Sequence, residues 1–121
     1  MSSQTSFLSL LTCLCLVAAC KTSHVGVTNH FGSYEAVVAA PADRAIGAAE
    51  EVVHELRLRL VSSQSTAVDG RVEALTANDR KVVIQTETAG ASVSRLSVRV
   101  GNGFGDESLS LDIIERIRAK L

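Results

Sequence analysis

Ser92-Val93-Ser94-Arg95-Leu96-Ser97-Val98-Arg99-Val100 is the stretch that decides the fold. Leu96, Val98 and Val100 alternate with Arg95, Ser97 and Arg99, and a period of two points the apolar set to one side of a strand and the polar set to the other. Such a strand belongs to a sheet with one covered and one solvated face, which is the habit of antiparallel sheets.

Working outward from this strand, Ala89-Gly90 predicts a hairpin turn back to Lys81–Thr88, where Val82, Val83 and Ile84 cluster. Ala77-Asn78-Asp79-Arg80 predicts the turn before that strand, and Arg71–Thr76 the strand preceding it. Asp69-Gly70 is a strong hairpin signal, since both residues tolerate positive φ. It joins Arg71 to a strand from Arg57 to about Thr66, in which Leu58 and Leu60 alternate with Arg57 and Arg59. Between Ala42 and Leu56 the period changes. Ala45, Ile46, Ala49, Val52, Val53 and Leu56 recur at three- and four-residue steps, opposite Arg44, Glu50, Glu51 and Glu55, which predicts an amphipathic helix with an Ala-rich face. Pro41 suits its first turn, and Tyr34–Ala39 before it reads as a short strand.

Downstream, Gly101-Asn102-Gly103-Phe104-Gly105 reads as a loop and Asp106 or Ser108 as the N-cap of a last helix. Leu109, Ile113, Ile114, Ile117 and Leu121 form its apolar stripe, with Asp112 and Arg116 as an i,i+4 ion pair. The predicted order is β-α-β-β-β-β-α. That is an α+β domain over residues 33–121, with one mainly antiparallel sheet and both helices on one face.

The first twenty residues carry a different message. Phe7–Leu16 is an apolar run about half as long as a membrane-spanning helix needs, and it suits the core of a secretory signal. Small residues follow in Val17-Ala18-Ala19-Cys20. This run resembles a bacterial lipobox, which implies a signal peptide over residues 1–19, cleavage before Cys20, and lipidation of that cysteine with palmitate-type chains. Each buried methylene of such a chain contributes about 0.8 kcal/mol, so two or three chains make a lasting membrane anchor. Residues 1–19 contain no Lys or Arg, which leaves an ordinary secretory signal or a mis-assigned start as the competing readings. By resemblance to enterobacterial sorting rules, Lys21 in place of Asp favours the outer membrane over the inner. Residues 20–32 then read as the lipidated cysteine and a tether of Gly, Ser, Thr and Asn with His24 and His30.

Composition narrows the function. All 12 Lys and Arg and all 13 Asp and Glu follow Cys20, so the mature chain is nearly neutral and has no field to steer it to nucleic acid. The three cysteines, at 13, 15 and 20, leave the body without a thiol for a disulfide, a cysteine-ligated metal or a nucleophile. His54 stands on the helix without a companion ligand or base partner, and is expected to be solvated or partly buried. A strand, a Gly-rich loop and a helix start in succession could cradle an anion. Asp106 and Glu107, however, put negative charge where a phosphate would sit, so the expected role of Asp106 is to cap. Arg95, Ser97 and Arg99, with Arg57 and Arg59, could place cations on the uncovered sheet face as a docking surface, against the commoner reading of a plain solvated face.

Arg99-Val100-Gly101, Phe104-Gly105-Asp106-Glu107 and Ser110, with the Ile-rich helix behind them, resemble the closing signature of a domain-of-unknown-function family of small bacterial lipoproteins. The resemblance extends in outline to Cys20, Pro41, Gly70 and Lys81–Ile84. It implies this fold and an envelope location, and assigns no catalytic, metal or cofactor-binding residue. The expectation is therefore a non-enzymatic, cofactor-free envelope module, attached to the membrane through Cys20, facing the periplasm and contacting another envelope protein. The alternative is a small-ligand or anion binder using the space between the sheet and the Gly101–Asp106 loop.

Overall fold

The computed structural model describes residues 26–102 and 105–121. Its elements run β1 (Thr28–His30), β2 (Ser33–Val38), α1 (Ala42–Glu55), β3 (Arg59–Ser65), β4 (Asp69–Leu75), β5 (Lys81–Gly90), β6 (Val93–Val100) and α2 (Glu107–Lys120). All six strands join one antiparallel sheet in the order β1-β2-β6-β5-β4-β3. The period-two strand that decides the fold is β6, and it lies between β2 and β5 in the middle of the sheet.

Alternation fills the core. Ala36, Val38, Val72, Ala74, Val82, Ile84, Leu96, Val98 and Val100 are all buried on one sheet face. Against them α1 presents Ala45, Ile46, Ala49, Val52 and Val53, and α2 presents Ile113, Ile114 and Ile117. Helix α1 lies across β3 to β6 and α2 across β2 and β6, so both helices cover the same face and touch each other. The small side chains of α1 let it approach the sheet closely. Where the helices meet, Lys120 pairs with Glu55 and, at 3.5 Å, with Glu51, while Arg116 reaches Glu55 at 3.5 Å and Asp112 at 3.2 Å.

Helix α1 ends in a Schellman motif. Leu58 N–H donates to the Val53 carbonyl at 3.0 Å and Arg57 N–H to that of His54 at 3.1 Å, with Arg57 at φ 57°. Arg57 therefore belongs to the helix exit, not to a strand, and β3 starts two residues later than its alternating pattern predicts. The pattern is the same either way, because Leu58 packs on the core as the hydrophobic partner of the motif.

Three further features depart from the sequence reading. The segment expected to be tether up to Gly32 ends in strand β1: Thr28, Asn29 and His30 pair with Glu35, Tyr34 and Ser33, so the sheet begins at Thr28. Three exposed residues at an edge have nothing to bury and leave no apolar period to read. Asp69 and Gly70 do not form the hairpin turn, because Gly70 pairs with Ser65 inside the ladder and neither residue has positive φ. The reversal falls at Thr66–Asp69, where the Thr66 hydroxyl accepts from the Val68 and Asp69 amides and donates to the Asp69 carboxylate at 2.8 Å. Gly70 is required for space: a Cβ there would collide with Cγ1 of Ile46 and lie 2.9 Å from its Cδ1. Likewise Gly90 pairs with Val93, and the ladder is irregular between Thr88 and Gly90, so β5 runs past the expected turn.

Candidate functional site

Because both helices lie on one side, the opposite sheet face is left open, and it is polar. The register aligns Glu35, Ser97, Gln85, Arg71 and Gln64 in a single row across five strands. A second row places Val37, Arg95, Glu87 and Asp69 beside it. All of these side chains except Val37, with Ser65 and Thr66, line an open groove of about 470 Å³. Its volume suits a small ligand, whereas its walls are more polar than those of most ligand pockets.

The electrostatics of this face are mixed. Arg95 bonds Glu87 at 2.8 Å, Arg71 bonds Glu73 at 2.7 Å, and Lys81 approaches Glu73 at 3.4 Å. The Arg71 hydrogen bond, followed by that of Lys81, holds the Glu73 carboxyl below the usual carboxylate range. Arg99 donates to the Phe31 carbonyl at 2.9 Å, and Arg59 sits 3.4 Å from Asp79. Of the two readings of this face, the paired charges favour the plain solvated side over a one-signed cationic surface. Arg95 and Arg99 do project there, but Arg95 is neutralised by a carboxylate, Arg99 bonds a backbone carbonyl and Arg57 lies elsewhere. Cross-strand pairing brings acidic neighbours from β4 and β5 that the β6 sequence alone does not reveal.

The helix start considered for an anion is occupied by the chain itself. The Asp106 carboxylate accepts from the Leu109 amide at 3.1 Å and from Arg80 at 2.9 Å, so it caps α2 as expected, while Ser108 lies within the helix. The Leu109 amide first, and Arg80 next, lower the Asp106 pKa. Gly101 and Gly105 both sit at φ 77°, and Gly105 backs against Gly32. Residues 103 and 104 lie outside the described residues.

Replacing Asp106 by Ala is expected to cost about 1 kcal/mol, the usual worth of such a cap. Since the folded pKa is depressed, the stabilisation is fully present above the unfolded value near 4 and is lost as pH falls through the lower folded value. Urea midpoints measured from neutral to acid pH should fall less steeply for Asp106→Asn than for the native chain. Identical slopes would remove the carboxylate from this role.

His54 is exposed on α1 and His30 is exposed at the end of β1, and the two stand on separate elements. Among the described residues, no three His, Cys, Asp or Glu side chains converge as a metal site would need. Cys20, Lys21 and His24, together with the signal segment, lie outside the described residues. The sequence reading did not single out the row formed by Glu35, Gln85 and Gln64. The outward phase of β5 was available from Val82, Ile84 and Thr86, but the register that lines up the row is a tertiary fact.

No curated protein matches this chain. A family model described as "Protein of unknown function (DUF3568)" matches residues 1–120, which agrees with the likeness to a domain-of-unknown-function family read from the C-terminal segment. On a match that runs from the first residue to the last helix, the chain belongs to the DUF3568 family of proteins of unknown function.

Proposed function

We propose that this protein is a lipid-anchored component of the bacterial cell envelope. Acyl chains on Cys20 hold it to the membrane, and its domain is a non-enzymatic interaction module that meets another envelope protein through the open sheet face. The observation that carries this reading is the breadth of polar sheet left uncovered by α1 and α2, spanning every strand from β2 to β3. Polar rows with paired charges suit a partner that matches them group by group, since charge complementarity fixes register and rejects wrong partners. The anchor rests on the Val17–Cys20 run, and the outer-membrane placement on Lys21.

Intact mass of detergent-extracted protein is expected to equal a chain starting at Cys20 plus acyl groups, and a water-soluble product with an unmodified Cys20 would refute the anchor. For the interface, a photo-crosslinker at Gln85 should capture one envelope protein in cells. The same group at Ala119, on the exposed side of α2, should not, and Cys20→Ala should abolish the capture. Equal capture from both positions would remove the sheet face as the docking surface.

The groove lends a second reading, a small polar ligand held over Gln85 and Arg71. A thermal shift with small zwitterionic or anionic metabolites, lost in Arg71→Ala, would favour it over a protein partner. This reading takes the open face as the ligand site, whereas the sequence alternative put a ligand between the sheet and the Gly101–Asp106 loop.

A further inference from the structure

The turn between β1 and β2 holds a residue that neither its backbone nor the core accounts for. His30 pairs with Ser33, leaving Phe31-Gly32 as a two-residue loop with φ of 52° and 91°. Two positive φ values in such a loop are the mark of a type I′ turn, which favours Asn, Asp or Gly at its first position. A phenylalanine there is strained by its Cβ. Burial offers no compensation within the domain, since Phe31 is 85% exposed, the most exposed of the large apolar side chains described.

The backbone around it is nonetheless fixed. Arg99 donates to the Phe31 carbonyl at 2.9 Å, the Asn29 side chain accepts from the Gly32 amide at 2.9 Å, and Gly105 abuts Gly32. A strained aromatic side chain is therefore held out from a rigid tip, and strain kept in this way marks a contact made outside the domain.

The chain length before β1 indicates what that contact is. Thr28 lies eight positions after Cys20, and at no more than about 3.6 Å per position the two are less than about 30 Å apart. Phe31 is only three residues further on. We propose that Phe31 is a second membrane contact of the anchored protein. Its phenyl ring enters the interface of the bilayer that holds the Cys20 acyl chains, with Arg99 and His30 beside it at headgroup level. Aromatic rings favour this depth, and a second attachment point converts a swivelling anchor into a fixed orientation. The inference rests on the lipid anchor proposed above.

The test uses full-length, natively acylated Phe31→Trp in phosphatidylcholine and phosphatidylglycerol vesicles, with and without brominated acyl chains. The native chain has no Trp, so the new residue reports alone. Flotation reads the anchor, and emission reads the ring. The expected result is a protein that floats and whose Trp emission shifts to the blue and is quenched by the brominated lipid. Val37→Trp, on the sheet face and 59% exposed in the native chain, should show neither change. A floating protein with unshifted, unquenched Trp at position 31 would overturn the inference and leave the anchor standing. A blue shift without lipid quenching would also overturn it, pointing instead to a protein or a second copy around the tip. A protein that fails to float would refute the anchor, and the inference with it.

Discussion

Leu96→Ala should destabilise the domain by about 3 kcal/mol or more, within the usual 2–5 kcal/mol for a fully buried leucine. Leu96 has no exposed surface and lies on β6, where it pairs with Ala36 on one side and Thr86 on the other. Its neighbours in the core come from both helices and the central strands, so the space left by the missing methyl groups cannot close by moving a single element. A domain of this size is stable by roughly 5–15 kcal/mol, and the loss is a large part of that. Urea unfolding of a Cys20→Ser form is the measurement, read as a lower midpoint with an unchanged slope. Val37→Ala, on neighbouring β2 but facing solvent, should stay within about 0.5 kcal/mol of the native value. Equal losses for the two variants would mean that the two sheet faces have been assigned the wrong way round.

Gly105→Ala should cost about 2–3 kcal/mol, from two separable sources. At φ 77° any Cβ is strained, for about 1 kcal/mol. In addition that Cβ would lie 2.6 Å from the Gly32 carbonyl oxygen, and backbone held in a tight turn yields only at a further cost of about 1–2 kcal/mol. Gly101 isolates the first source. It has the same φ of 77°, but its added Cβ would meet only the Arg80 side chain, no closer than 3.7 Å, so Gly101→Ala should cost about 1 kcal/mol. A matched loss in the two variants would show that the contact between the Gly101–Asp106 loop and the β1–β2 turn contributes nothing. A larger loss at Gly105 would explain the glycine by packing against Gly32, without recourse to an anion.

Much of this arrangement was legible in the chain because it rests on local periods. The two-residue alternation of β6 and the three- and four-residue steps of α1 and α2 predict which side chains are buried, and Ile113, Ile114 and Ile117 are buried as their spacing requires. The Asp106 cap was legible for the same reason, since its partner amide is three residues away. What could not be read lies between segments. Gly70 looks like a turn residue until Ile46 of α1 is laid across it, and Arg95 looks like a free cation until Glu87 arrives from β5. The β1 strand gives no signal because its three residues bury nothing, and it exists only because the Phe31-Gly32 turn folds it against β2.

Spacing along the chain was enough for the type of every element except β1, the face each of those elements buries, the capping of α2 and the candidate anchor at Cys20, all of which depend on residues a few positions apart. Tertiary structure alone decided the strand order, the cross-strand row from Glu35 to Gln64, the neutralised charge of the open face and the exposure of Phe31. Each of these depends on register between segments tens of residues apart, and that register is fixed only once the helices have closed over one face of the sheet.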